Sequence, residues 1–135
     1  MKTTVLDASA LLALFFDEPG AEKVEHLLHQ AAEADKPLLI AAVNWAEVLD
    51  TMERKNGAQG WSRTLEFERS MPLDVAPLDR DLAESAAHLK TAHDLGLADA
   101  FAAALAKSKK AEFVTADTEF KPLEKEIKIN WLKGG

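Results

Sequence analysis

Four acidic residues beside apolar segments are the candidates for chemistry in this sequence. They are Asp7 after "TTVL", Glu47 in "NWAEVL", Asp99 in "LGLADAFAAALA" and Asp117 at the end of "EFVTAD". Asp99 is the most unusual, because almost every residue from Leu95 to Ala106 is Leu, Ala, Phe or Gly. Burying an unpaired carboxylate is costly. Asp99 therefore needs a partner that its sequence neighbours do not supply.

A divalent cation is the partner that this residue pattern favours. Carboxylates gathered in one place raise one another's pKa and destabilise the fold, and a cation removes that repulsion. Oxygen ligands without His or Cys suit Mg²⁺, with Mn²⁺ as the alternative. Such an ion lowers the pKa of a bound water and neutralises a phosphate, so an acidic protein with this pattern can hold a phosphodiester through its metals.

Each carboxylate also has a structural explanation. Asp7 could turn the chain into the next helix, Asp117 could form an Asx turn, and the helix dipole could satisfy Asp99. Taken singly, Asp7 and Asp117 need no further function. The apolar surroundings of Asp99 are what favour a site over a purely structural role.

Two polar residues are predicted to begin helices near these carboxylates. Ser9 is a suitable N-cap for the apolar helix that follows Asp7. Asn44 is predicted to be the N-cap of a helix that ends near Asn56, and Glu47 stands at the capping-box spacing from it. The carboxylate of Glu47 could therefore serve only to reach the backbone N–H of Asn44.

The elements that must position these residues alternate along the chain. Short strands are predicted in "TTVLD", "LLIAAV", "LDVAPL", "EFVTAD" and "IKINWL". Amphipathic helices are predicted between them over residues 21–34, 44–56, 59–70, 80–95 and 97–110, with the 44–70 pair forming a hairpin broken at Asn56-Gly57. This alternation predicts an α/β fold in which a mainly parallel sheet is covered on both faces. Ligands of such sheets bind beyond the carboxyl ends of the strands, where Asp7 and Asp117 lie.

Length and composition limit the possible classes of protein. The chain has 135 residues, which suits one domain over residues 1–133 with a short tail at 134–135. It has no Cys, 16 Lys and Arg against 23 Asp and Glu, and a net charge of −7, so no broad attraction to nucleic acid is expected. The apolar run "ASALLALFF" is too short to span a bilayer and lacks a basic leader, so the cytoplasm is the expected location.

The four motifs together resemble a known family. "VLDASALLALFFDEPG", "NWAEVL", "LGLADAFAAALA" and "FVTADTEF" are similar in order and spacing to the acidic motifs of PIN-domain ribonucleases, and most closely to VapC-type toxins of toxin–antitoxin pairs. The resemblance implies a three-layer α/β/α sandwich and Mg²⁺-dependent endoribonuclease activity. It also implies a homodimer and a small cognate antitoxin protein as partners.

The resemblance also assigns roles to individual residues. The catalytic residues would be Asp7, Glu47, Asp99 and Asp117, with metal ligation by Asp7, Asp99 and Asp117 and support from Ser9, Thr115 and Glu119. Many relatives have Asp where this chain has Glu119, so Glu119 is expected outside the first coordination shell. The expected reaction is in-line hydrolysis of RNA by a water that the metal activates.

Other classes of protein fit the sequence less well. Phosphatases of the haloacid dehalogenase type need a second Asp two residues after the first, where this chain has Ser9. A receiver domain would need paired acidic residues near the first strand and a phosphorylated Asp at mid-chain. A non-catalytic PIN-like module for protein binding stays open, and Trp61 is the candidate residue for a dimer or antitoxin interface.

Overall fold

A five-stranded sheet forms the centre of the computed structural model, which describes residues 2–132. The strands are β1 (Thr4–Leu6), β2 (Leu38–Ala41), β3 (Leu73–Ala76), β4 (Glu112–Thr115) and β5 (Lys128–Trp131). Their order is β3-β2-β1-β4-β5, and every neighbouring pair is parallel. The predicted parallel sheet is therefore confirmed.

Six helical segments connect these strands. They are α1 (Ala8–Phe15), α2 (Ala21–Ala34), α3 (Ala42–Ser70), α4 (Arg80–His93), α5 (Leu97–Ser108) and a 3₁₀ helix (Thr118–Leu123). The first three helices pack on one face of the sheet, and α4, α5 and the 3₁₀ helix pack on the other. This arrangement is the three-layer α/β/α sandwich that the sequence predicts.

Alternating side chains on the central strands build the two cores. Val5 of β1 and Phe113 of β4 are paired in register and face the core beneath α4 and α5. Leu6 and Val114, the next pair, face the core beneath α1, α2 and α3. All four side chains are fully buried. The period of two residues in a strand thus holds a helical layer on each face.

Helix α3 consists of two segments folded back on each other at a glycine. Gly57 has φ 64° and ψ −151°, a backbone conformation open to glycine and strained for other residues. Three residues later, Gly60 packs so closely that a Cβ there would lie 2.2 Å from the carbonyl oxygen of Met52. The predicted helical hairpin is confirmed, including its break at the Asn56-Gly57 pair.

The two predicted N-caps are wrong. Helix α1 begins at Ala8 with Asp7 at the N-cap, and the hydroxyl of Ser9 donates to the Asp7 carboxylate. Helix α3 begins at Ala42, because β2 passes into it directly without a polar cap. Asn44 consequently lies inside the first turn of α3, and its side chain is free to bond elsewhere.

The ends of the chain add two facts. The predicted tail at residues 134–135, and its boundary at 133, lie outside the described residues. Between residues 2 and 132, no helix combines the length and the apolar character that a membrane span requires.

Candidate active site

The crossover between β1 and β4 determines where a ligand can bind. The chain runs from β1 outward through β2 to β3, and then returns to place β4 on the other side of β1. Adjacent connections therefore leave the sheet in opposite directions at β1 and β4, which opens a crevice at their carboxyl ends. Asp7 follows β1 directly, and Asp117 lies two residues beyond the end of β4.

Two hydroxyl groups hold the buried carboxylate of Asp7. Its Oδ2 atom accepts a hydrogen bond from Ser9 Oγ at 2.8 Å and another from Thr115 Oγ1 at 2.9 Å. Each hydroxyl has one proton, so the 3.3 Å contact between the two hydroxyl oxygens adds no third hydrogen bond. Asp7 is only 4% exposed. Ser9 and Thr115, predicted as supporting residues, thus fix the orientation of Asp7.

The same hydroxyls also shape the chain that follows β4. The backbone N–H of Ala116 donates to Ser9 Oγ, and that of Asp117 donates to Thr115 Oγ1, both at 3.0 Å. Asp117 in turn accepts the N–H of Glu119 at 2.9 Å and caps the 3₁₀ helix. The Asx turn considered for Asp117 is therefore present, and it leaves the Asp117 carboxyl half-buried beside the crevice.

Asp99 lies in the first turn of α5 and is also half-buried. Burial raises its pKa, and the charges of four neighbouring carboxylates raise it further, to about 7. These neighbours are, in decreasing order of effect, Asp7, Asp117, Glu119 and Glu47. The other three carboxylates that the sequence predicted as catalytic, Asp7, Glu47 and Asp117, therefore lie close enough to repel Asp99.

Three of these acidic residues form a tight group. Asp99, Asp117 and Glu119 each offer a carboxylate oxygen, and the three oxygens lie within 4.8 Å of one another. Asp7 and Glu47 stand outside this group. Glu119 was expected outside the first coordination shell because its side chain is one methylene longer than that of Asp. The structure brings its carboxylate close to that of Asp99, because Glu119 lies in the first turn of the 3₁₀ helix just after Asp117.

Glu47 approaches the site from the first half of α3. Its side chain is exposed, but its Oε1 atom accepts a hydrogen bond from Nδ2 of the buried Asn44 at 3.1 Å. The capping-box interpretation of this pair is wrong in detail, since the donor is the side-chain amide of Asn44 and not its backbone. The spacing of three residues between Asn44 and Glu47 is the sequence signal for this contact, although the capping-box interpretation explains it by the start of a helix.

The electrostatics of the site favour a cation. Burial raises the pKa of Asp7, the hydrogen bonds from Ser9, Thr115 and the Ala8 N–H oppose that rise, and the charge of Glu47 adds to it. The ion pairs of the described chain lie elsewhere, for example between Arg54 and Asp50. An acidic cluster with this composition can bind a divalent metal ion through oxygen ligands.

The fold and this acidic crevice define a family. The sequence model of the PIN domain matches residues 4–126, and the chain therefore belongs to the PIN domain family. The resemblance drawn from the four acidic motifs is confirmed at this level. A search of curated proteins gives no match.

Solved structures with the same fold include toxin–antitoxin proteins. The chain is similar to a toxin–antitoxin complex from Klebsiella pneumoniae, with 23% identity, a TM-score of 0.69, and 96% of this chain and 98% of that chain covered. It is also similar to VapBC2 from Rickettsia felis bound to a promoter DNA fragment, with 16% identity, a TM-score of 0.76, and coverages of 95% and 97%. VapC20 from Mycobacterium tuberculosis, a sarcin-ricin loop cleaving toxin, has 21% identity, a TM-score of 0.64, and coverages of 89% and 94%.

Proposed function

We propose that this protein is a divalent-metal-dependent endoribonuclease that acts as the toxin of a toxin–antitoxin pair. The observation that carries the proposal is the convergence of Asp7, Asp99 and Asp117 at the crossover of the sheet, with the pKa of Asp99 raised to about 7. A fold gains nothing from such mutual repulsion unless a ligand offsets it. A cation is the ligand of matching charge.

The residues at the crevice fit Mg²⁺, and Mn²⁺ is the alternative. The side chains are carboxylates and hydroxyls, which are the hard oxygen donors that these ions prefer. We assign metal ligation to Asp99, Asp117 and Asp7. Glu119, whose carboxylate lies in the tight group with the first two, is available as a further ligand or through a bridging water.

The side chains have distinct roles in the proposed hydrolysis. When bound, the ion supplies an activated water and neutralises charge on the phosphate. Ser9 and Thr115 keep the Asp7 carboxylate fixed at the base of the crevice. Glu47 is exposed and lies outside the tight group, so we assign it the role of the general base that accepts a proton from the attacking water.

An RNA substrate and an antitoxin partner are supported by the family. PIN domain membership favours a nuclease, and similar structures include a toxin that cleaves the sarcin-ricin loop and complexes of toxin with antitoxin. We extend both properties to this chain, together with the cytoplasm as the place of action.

A homodimer belongs to the same proposal. Trp61, on the second half of α3, is 39% exposed, which supports its use at a dimer or antitoxin interface. The measurement for the dimer is the molar mass of the purified protein by light scattering, compared between wild type and Trp61→Ser. We expect a dimer for the wild type and a larger monomer fraction for the variant.

The first experiment tests cleavage and metal binding together. Protein freed of antitoxin is incubated with total RNA in Mg²⁺ or in EDTA, beside Asp99→Asn and the matched control Asp81→Asn, which lies in the exposed first turn of α4. We expect discrete products from wild type and control in Mg²⁺, and none in EDTA or from Asp99→Asn. If wild type leaves RNA intact and Mn²⁺ fails to raise its melting temperature, the non-catalytic binding module replaces the enzyme.

A further inference from the structure

A buried amide joins the two helices that carry Glu47 and Asp99. Asn44 is completely buried in the first turn of α3. Its Nδ2 atom donates to Oε1 of Glu47 at 3.1 Å and to the backbone carbonyl of Ala98 at 3.3 Å. Ala98 directly precedes Asp99 in the first turn of α5. One side chain therefore contacts both helix starts that face the crevice.

The chemistry of the two partners fixes the orientation of this amide. A carboxylate and a carbonyl only accept hydrogen bonds, so the NH₂ group of Asn44 must face them. Its Oδ1 atom is then buried without a hydrogen-bond partner among residues 2–132. An unpaired buried acceptor is destabilising, and Leu would fill similar space without that cost. Stability alone does not explain an asparagine at this position.

The position of Glu47 does explain it. An exposed glutamate has several rotamers, and fixing one of them costs conformational entropy. The negative charge of Glu47 also raises the pKa of both Asp7 and Asp99, so all three carboxylates repel one another. A hydrogen bond from a neutral amide to an ionised carboxylate is strong enough to oppose such repulsion.

We propose that Asn44 is a positioning residue that holds the Glu47 carboxylate at the crevice and fixes the first turn of α5 relative to α3. The inference rests on the proposed function, because it assumes that Glu47 and Asp99 act in one site. As a positioning residue, Asn44 touches neither substrate nor metal. Its effect passes through Glu47 on one side and through the backbone next to Asp99 on the other.

The test compares Asn44→Leu with a matched loss of the same kind of bond elsewhere. The side-chain amide of Asn130 in β5 donates to the Glu112 carboxylate at 2.7 Å. Glu112 is the first residue of β4 and lies at the amino-terminal end of the strands, away from the crevice. Asn130→Leu is therefore the control. For each protein we would measure the melting temperature without metal, the Mn²⁺ affinity from its rise with Mn²⁺, and the rate of RNA cleavage.

We expect Asn44→Leu to melt no lower than wild type without metal, because the unpaired Oδ1 is removed. Its Mn²⁺ affinity should fall about tenfold and its cleavage rate about tenfold to a hundredfold, as when a residue that orients a metal site is lost. Asn130→Leu should change neither the Mn²⁺ affinity nor the cleavage rate. A variant Asn44→Leu with wild-type Mn²⁺ affinity and cleavage would overturn the inference.

Further variants separate positioning from a structural role. In Glu47→Gln the group that Asn44 positions is disabled, so adding Asn44→Leu should lower the cleavage rate much less than it does in wild type; independent, multiplying losses would contradict the proposal. If Asn44→Leu fails to fold, Asn44→Ser takes its place, since its short hydroxyl cannot reach both partners and should give the same loss of Mn²⁺ affinity.

Failure of the proposed function has a different signature. A wild-type protein that neither binds Mn²⁺ nor cleaves RNA overturns the enzyme and the positioning role together. A wild-type protein that does both, beside an Asn44→Leu variant that also does both, overturns the positioning role alone.

Discussion

The carboxylate of Asp7 is oriented by hydroxyls and not neutralised by them. Ser9 and Thr115 donate to it and favour its charged form, yet burial outweighs them and its pKa is raised. A Lys or Arg beside Asp7 would neutralise this carboxylate, and it would also occupy the place of a cation. The two hydrogen bonds thus hold the Asp7 side chain in place and leave its carboxylate without a cationic partner.

Thr115→Val tests this use of a hydroxyl. The variant keeps the shape of the buried side chain but removes the donor to Asp7 and the acceptor for the Asp117 N–H. We expect unfolding free energy to fall by about 1–3 kcal/mol, since a buried carboxylate loses a partner. The Mn²⁺ affinity should fall about tenfold. Urea unfolding and Mn²⁺ titration measure the two effects.

Thr64→Val is the control for this substitution. Thr64 is equally buried, and its hydroxyl donates only to the Gly60 carbonyl of its own helix. Its loss should leave the Mn²⁺ affinity unchanged. Equal losses of affinity in both variants would mean that Thr115 acts through general stability.

Asp99→Asn should stabilise the metal-free protein in a pH-dependent way. The folded pKa of Asp99 is about 7, against an ordinary value of 3.8, so between these values the folded state holds a proton that the unfolded state has lost. Stability of wild type therefore falls as pH rises through this window, and the deficit is complete above about pH 7. We expect Asp99→Asn to be more stable at pH 8 by on the order of 1 kcal/mol, because water screens this half-buried group.

The measurement is urea unfolding of both proteins in EDTA at pH 4 and pH 8. The stability difference should be much smaller at pH 4, where Asp99 is protonated in the folded state and about half protonated in the unfolded state. In the control Asp81→Asn, a favourable charge in the first turn of α4 is lost, so that variant should be slightly destabilised at pH 8. A destabilised Asp99→Asn at pH 8 would show that the carboxylate is already neutralised by the protein itself.

At the scale of single residues, the sequence indicated which groups meet but not how they bond. Asp99 was recognisable because its neighbours are apolar, a property of local sequence. The bond from Asn44 to the Ala98 carbonyl joins residues 54 positions apart, and no local pattern records it. The closeness of Glu119 to Asp99 similarly depends on how the 3₁₀ helix packs.

At the scale of elements, the hairpin within α3 depends on one close backbone contact. Gly60 lies against the Met52 carbonyl, so the two segments approach more closely than any side chain would permit. The Asn56-Gly57 break was predictable, since positive φ favours glycine. The true start of α3 was not predictable from capping preferences, because the end of β2 determines it.

Gly60→Ala tests this contact. A Cβ would have to displace backbone from 2.2 Å, so the hairpin must open. We expect a loss of at least about 2 kcal/mol in unfolding free energy, measured by urea titration. Gln59→Ala, an exposed neighbour in the same segment, should change stability by less than about 0.5 kcal/mol. Equal stability of the two variants would show that the segments can separate freely.

At the scale of the whole molecule, the proposed ribonuclease combines an acidic surface with a polyanionic substrate. The net charge is −7, which gives RNA no general attraction to the surface. A bound divalent ion would reduce the negative charge of the crevice and offer a cation to a phosphate oxygen, while the rest of the surface stays repulsive. Selectivity for few sites in RNA is a natural result of such weak background binding.

Labelled RNA offers a direct measurement of this effect. We expect the anisotropy of a short RNA to show little binding in EDTA even at low salt, and clear binding when Ca²⁺ is added as an oxygen-seeking ion. Asp99→Asn should not respond to Ca²⁺, whereas Asp81→Asn should. Strong binding in EDTA would instead reveal a basic surface that carries the RNA without metal.

The pairing of β1 with β4 has a consequence in time. Thr115 follows its partner Asp7 by 108 residues, and the sheet cannot place them side by side before β4 has been synthesised. Contacts between such distant segments form late in folding. A growing chain therefore carries Asp7, Glu47 and Asp99 before the crevice that gathers them exists, so the proposed nuclease site stays incomplete until β4 has joined the sheet.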